Sequence, residues 1–140
     1  MTIELGQIYK EFPSQSDGLI YIEMVRWNNS PICPKCGSPK YSPITNKLAY
    51  HCNFCNRTFT VTTNTLFHKS KIDIQKWFYA ILIVLHPSQN ITVRDLSLKL
   101  NVTKDTAWSI QKKIKNALIT SPQLLSRIDK NLNQIVYVKK

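Results

Sequence analysis

The stretch CPKCGSPKYSPITNKLAYHCNFC, from Cys33 to Cys55, contains every cysteine of the chain. They form two Cys-x-x-Cys pairs with fifteen residues between them. Two residues between cysteines let a tight turn aim both sulfurs at one ion, and two such turns complete a tetrahedron of thiolates with metal–sulfur distances near about 2.3 Å. Cys33, Cys36, Cys52 and Cys55 are therefore expected to hold one Zn2+. Four protein ligands leave no position for water, which makes the ion structural. Pro34 suits the first turn, and Gly37 and Asn56 tolerate a positive φ just past the second cysteine of each pair. His51, beside Cys52, is a minor alternative ligand. Disulfides and a redox Cys-x-x-Cys are the competing readings. Nothing around the cysteines reads as a βαβ unit, and MTIELGQIYKEF lacks the basic start and apolar run of a signal peptide.

The sequence around the ligands reads as short strands. KLAYHC alternates apolar and polar residues, and RTFTVTTNTLF (Arg57–Phe67) is rich in Thr, Val and Phe. The fold class expected is α+β, mainly α: a small N-terminal helix, an antiparallel zinc ribbon, then a helix-turn-helix bundle. The segments are 1–29 (helical), 30–67 (ribbon), 68–120 (helix-turn-helix domain) and 121–140 (tail). In the first, Phe12–Trp27 reads as a helix with a capping-box pattern at Ser14 and Asp17 and an apolar face of Leu19, Ile20, Ile22 and Val25. After the ribbon, Asp73 marks the N-cap of IQKWFYAILIVLH, apolar almost all round and therefore central, with Pro87 ending it. In the tail, a helical pattern precedes QIVYVKK, which looks like a strand.

ITVRDLSLKLNVTKDTAWSIQKKIKNAL (Ile91–Leu118) carries the second pattern. Thr92 caps a short helix with Leu96 and Leu100 inward. Asn101 suits a left-handed turn. Thr103 caps a second helix with Ala107, Ile110 and Ile114 inward, and Ser97 and Ala107 permit a close crossing. An ordinary αα-hairpin is the bland alternative. In the helix-turn-helix reading, Thr103, Lys104, Asp105, Ser109 and Lys112 face a DNA major groove, Lys113 and Lys115 meet phosphates, and Arg94 clamps the backbone. Trp108 falls on the groove side, with partial packing against Trp77–Leu85 as the favoured alternative.

Charge supports a polyanionic partner. The net is +11, divided between −3 over residues 1–23 and +14 over residues 24–140. The longest apolar stretch, Trp77–Leu85, has nine residues, against the about 20 needed to span a bilayer. A soluble, cytoplasmic, bacterial-type and nucleoid-associated protein with no membrane partner is expected.

Taken in order, Arg26-Trp27, CPKCGS, YHCNFCNRTFTVTTNTLFHKSKI, KWFYAI and VTKDTAW resemble the N-terminal half of insertion-sequence transposases that carry a zinc ribbon, a helix-turn-helix and then an RNase H-like catalytic domain. The likeness covers roughly residues 8–120. It implies zinc ligation by the four cysteines and DNA contact by Lys104, Ser109 and Lys112. The implied partners are double-stranded DNA, in particular terminal inverted repeats, and a homodimer mate or full-length transposase. Asn64 stands where the family often has glycine. Full-length relatives continue into a domain with three metal-binding carboxylates, whereas Asp129 is the only acid after Asp105. One aspartate cannot build a two-metal site. The expectation is a DNA-binding module of a transposase, truncated and without strand-transfer activity of its own. The alternatives are a stand-alone regulator or repressor, half of a split transposase completed by a separate catalytic chain, and a protein-interaction ribbon whose helical part is merely structural.

Overall fold

The computed structural model describes residues 4–28, 30–45, 48–68, 70–85 and 91–137, with residues 136 and 137 by backbone alone. These residues form two compact units, one made of residues 16–71 and the other of residues 1–15 with 72–140. No described helix is long and apolar enough to cross a membrane.

The first unit holds α2 (Gln15–Trp27, all but its first residue) and a three-stranded antiparallel sheet of β1 (Tyr41–Pro43), β2 (Tyr50–Cys52) and β3 (Thr58–Phe59), in that order. The register pairs Tyr41 with Cys52, Pro43 with Tyr50, and Tyr50 with Phe59. Such short strands offer little hydrogen bonding, and aromatic rings supply the core instead. Trp27 stands edge-on to Tyr50 and Phe59, with centroids 5.9 and 5.7 Å away, and Tyr41 stands edge-on to Tyr50 at 5.5 Å. The Tyr50 hydroxyl donates to the Glu23 carboxylate at 2.8 Å. The inward face of α2 is Gly18, Tyr21, Ile22 and Trp27. Ile20, expected inside, is 50% exposed: it stands one residue before the inward Tyr21, a rotation of about 100°.

The strand expected over Arg57–Phe67 ends at Phe59. Beyond it, threonine hydroxyls serve the backbone locally. The Thr63 hydroxyl accepts from the Thr60 N–H at 3.0 Å, the Thr65 hydroxyl donates to the Thr62 carbonyl at 2.7 Å, and Asn64 takes φ 61°. These bonds outcompete a ladder that has no further partner strand among the described residues. Arg26 closes the loop by donating to the Val61 and Thr63 carbonyls at 2.6 and 3.1 Å.

The second unit holds α1 (Leu5–Glu11), α3 (Ile74–Val84), α4 (Val93–Leu100), α5 (Lys104–Thr120) and α6 (Pro122–Tyr137). The nearly all-apolar α3 is central, packing against the other four, with Trp77, Phe78, Ala80 and Ile81 buried. Its N-terminus is satisfied otherwise than expected. Asp73 stands at the cap position without a side-chain cap bond. Its carboxylate accepts the Tyr9 hydroxyl at 2.8 Å, while Gln15 Oε1 accepts the Ile74 N–H at 3.0 Å. Pro87 and His86 lie outside the described residues. The C-terminal stretch expected as a strand is helix through Tyr137, with Leu125, Ile128 and Leu132 buried in the bundle.

Candidate metal centre and nucleic-acid interface

Each Cys-x-x-Cys turn is closed by the same device. The Gly37 N–H bonds the Cys33 carbonyl at 2.8 Å with Gly37 at φ 79°, and the Asn56 N–H bonds the Cys52 carbonyl at 2.9 Å with Asn56 at φ 62°. The first turn is tied further by the Cys33 N–H to the Ser38 carbonyl, and the second by the Cys52 N–H to the Arg57 carbonyl. The four sulfurs lie within 4.8 Å of one another. Cys33 and Cys55 are separated by 3.7 Å, and Cys36 and Cys52 by 3.5 Å. A tetrahedron with about 2.3 Å metal–sulfur bonds has edges of about 3.8 Å, close to both of these separations, so the cluster could hold one zinc ion. His51 alternates away from Cys52 on β2 and is not part of the cluster.

The four thiols do not ionise alike. Cys52 is drawn down to about 6, first by the Cys55 N–H and also by that of Phe54, against the effect of burial. Burial raises Cys33, yet the N–H groups of Lys35 and Cys36 and its neighbouring thiols hold it below the usual range. At Cys36 the Ser38 N–H favours the thiolate, but burial and the three other sulfurs outweigh it and push the group up to about 12. Four thiolates at this spacing require a cation to share. A bound zinc would supply that charge and hold the turns together, and Cys33, Cys36, Cys52 and Cys55 would ligate it.

The second candidate surface lies on α4 and α5. Thr92 and Thr103 both cap through their hydroxyls, which accept from the Asp95 and Thr106 N–H groups at 3.1 and 3.2 Å. Between the helices Asn101 adopts φ 57°, ψ 52°, and the Val102 N–H bonds the Ser97 carbonyl at 3.0 Å. Lys76 on α3 reaches the Asn101 carbonyl at 3.5 Å. Leu96, Leu100, Ala107, Ile110 and Ile114 are buried. On α5, the face opposite this seam carries Lys104, Asp105, Trp108, Lys112 and Lys115, all exposed. Ser109 is half-buried at its margin, Lys113 is exposed to one side, and Arg94 is exposed on α4. The Thr103 hydroxyl is taken up by Thr106. Trp108 departs from the packed alternative. It is 54% exposed, and its ring carries the Lys112 ammonium 4.7 Å from the centroid.

Two features escaped the sequence reading. Arg26 braces the threonine loop, and only its place in the Arg26-Trp27 pair hinted at a role. Phe54, between the second pair of cysteines, is 74% exposed, although phenylalanine is a common core residue.

Residues 13–58 match the model of the transposase zinc-ribbon domain of IS1595. The match begins ahead of α2 and ends within β3, and so takes in the helix whose Trp27 packs on the sheet. A Halobacterium salinarum protein, described as an uncharacterized protein in transposable element ISH50, is 28% identical over 112 residues, which are 78% of this chain and 37% of that relative. The chain thus spans little more than a third of the relative it matches. No solved structure matches it. The cysteine cluster lies within the stretch that matches a transposase zinc ribbon and could hold one metal ion, as in such a ribbon, and the chain is similar to a protein of an insertion-sequence element.

Proposed function

We propose that this chain is a sequence-specific double-stranded DNA-binding module of a transposase. In this reading α4 and α5, within residues 68–120, form a helix-turn-helix with α5 as the reading helix, and the target is the terminal inverted repeats of the element. The observation that carries it is the outer face of α5, where Lys104, Lys112 and Lys115 line up around Trp108, opposite the buried seam. A helix with a free cationic face after a tight left-handed turn is the arrangement that enters a major groove. The transposase ribbon supports a DNA target, and the charge of +14 over residues 24–140 supports a polyanion. Lys104 and Lys112 contact base edges in this proposal, with Arg94, Lys113 and Lys115 on phosphates.

The test is fluorescence anisotropy with duplexes from either end of the element and with a scrambled duplex, across a salt series. Preference for the end sequences is expected, with affinity falling steeply as salt rises. Lys115→Ala should flatten the log–log salt slope by about one and weaken all duplexes alike, while Lys104→Ala should erode the preference itself. Equal affinity for all three duplexes, or none, overturns the proposal.

A further inference from the structure

We propose that the second cysteine turn of the ribbon is a single-stranded nucleic-acid site, in which the Phe54 ring stacks on an unpaired base and Lys40 and Arg57 hold the adjoining phosphates. Phe54 is 74% exposed at the tip of the turn, with its backbone fixed between two zinc ligands. The flanking residues are set by the sheet register. The Asn53 N–H bonds the Lys40 carbonyl at 3.0 Å, and the Cys52 N–H bonds the Arg57 carbonyl at 2.8 Å. Both cations are therefore hydrogen-bonded through their backbones to the two residues that precede Phe54, and both are exposed. The side chain of Asn53 is occupied by Ser42, at 3.0 and 3.2 Å, so the ring is the turn's free element.

Charge selects the occupant. Residues 30–67 contain four bases (Lys35, Lys40, Lys47 and Arg57) and no acid, which outweigh the net −2 of four thiolates on one Zn2+ and leave the ribbon cationic. A single ring falls far short of the about 800 Å2 that each partner of a stable protein interface contributes, whereas one rigid ring between cations is the repeating unit of single-strand binding. A base inside a duplex is already stacked on its neighbours and offers the ring no free face. The site uses no residue of the α5 surface.

The test uses the full zinc-loaded chain with labelled oligothymidylate and, in parallel, a labelled duplex. Phe54→Leu keeps the apolar bulk and removes the ring, and Phe54→Trp enlarges the ring. Leucine should weaken oligothymidylate binding about tenfold, in line with the about 1–3 kcal/mol of one stacked base, with duplex binding unchanged. Tryptophan should match or exceed the native affinity. Elemental analysis giving one zinc per chain in each variant reports an intact turn. The proposal is overturned if leucine binds the oligonucleotide as phenylalanine does, if the loss is equal on the duplex, or if the native chain ignores the oligonucleotide.

Discussion

At the scale of single residues, the polar bonds of the ribbon unit are few and identifiable. Tyr50 is central: its ring packs among Trp27, Tyr41 and Phe59, and its hydroxyl donates to Glu23. Burial first, then the hydrogen bond and charge of Glu23, push its pKa from 10.0 up to about 12. The folded state therefore holds this proton more tightly than the unfolded state does. The stabilisation is complete below pH 10 and fades as pH rises toward 12, where an ionised Tyr50 would face the Glu23 carboxylate. Tyr50→Phe should lower stability by about 1–2 kcal/mol near neutral pH, because the bond has a charged acceptor but is only partly buried. The gap between variant and native urea midpoints should close as pH climbs through that window; a gap that persists would assign the loss to packing. Residues whose chemistry is local were legible in the sequence. Gly37, Asn56 and Asn101 adopt the left-handed conformations that their turns demand. Asn64, flagged as standing where the related family often has glycine, adopts one too. Tyr50 and Arg26 were not legible in this way, because their partners lie on elements distant in sequence; Trp108 was placed on the outward side by helical register, but its exposure was not foreseen.

At the scale of elements, legibility followed length and period. α4 and α5 show apolar periodicity bounded by threonine caps, α3 is apolar almost all round, and each stands where it was expected. α1 went unread because seven residues with one buried side chain, Ile8, carry almost no pattern. α6 was misread at its end. IVYV has the composition of a strand, but no partner strand exists among the described residues, and packing of the helix face decides. Leu125, Ile128 and Leu132 recur at helical spacing and all reach the bundle interior. The tail is therefore a structural wall of the second unit. Ile128→Ala should cost about 2–4 kcal/mol through lost burial and the cavity left behind, a sizeable share of the about 5–15 kcal/mol that a domain has. Urea denaturation followed by circular dichroism measures it. A loss under about 1 kcal/mol would mean that α6 is dispensable and that the bundle closes without it.

At the scale of the whole molecule, the two units are held by different forces, and this difference can be tested. The helical unit has a continuous apolar interior in which α3 is covered by four other helices. The ribbon unit has strands of two or three residues, an aromatic cluster and the four-sulfur site. Structural zinc contributes on the order of 10 kcal/mol to such small sheets, more than their ladder bonds at about 1 kcal/mol each. Removing the metal with a strong chelator should leave four mutually repelling sulfurs, release both cysteine turns and unfold residues 16–71. Residues 74–84 and 93–137 should keep their protection, because they contain no cysteine and their helices pack on an apolar interior of their own. Amide hydrogen exchange read segment by segment separates the outcomes: fast exchange confined to the ribbon unit is expected, and restored protection on adding zinc completes the cycle. If protection falls throughout the chain, the units fold as one cooperative body. If it holds in both, the aromatic cluster of Trp27, Tyr50 and Phe59 suffices for the ribbon and the metal is an accessory to its stability.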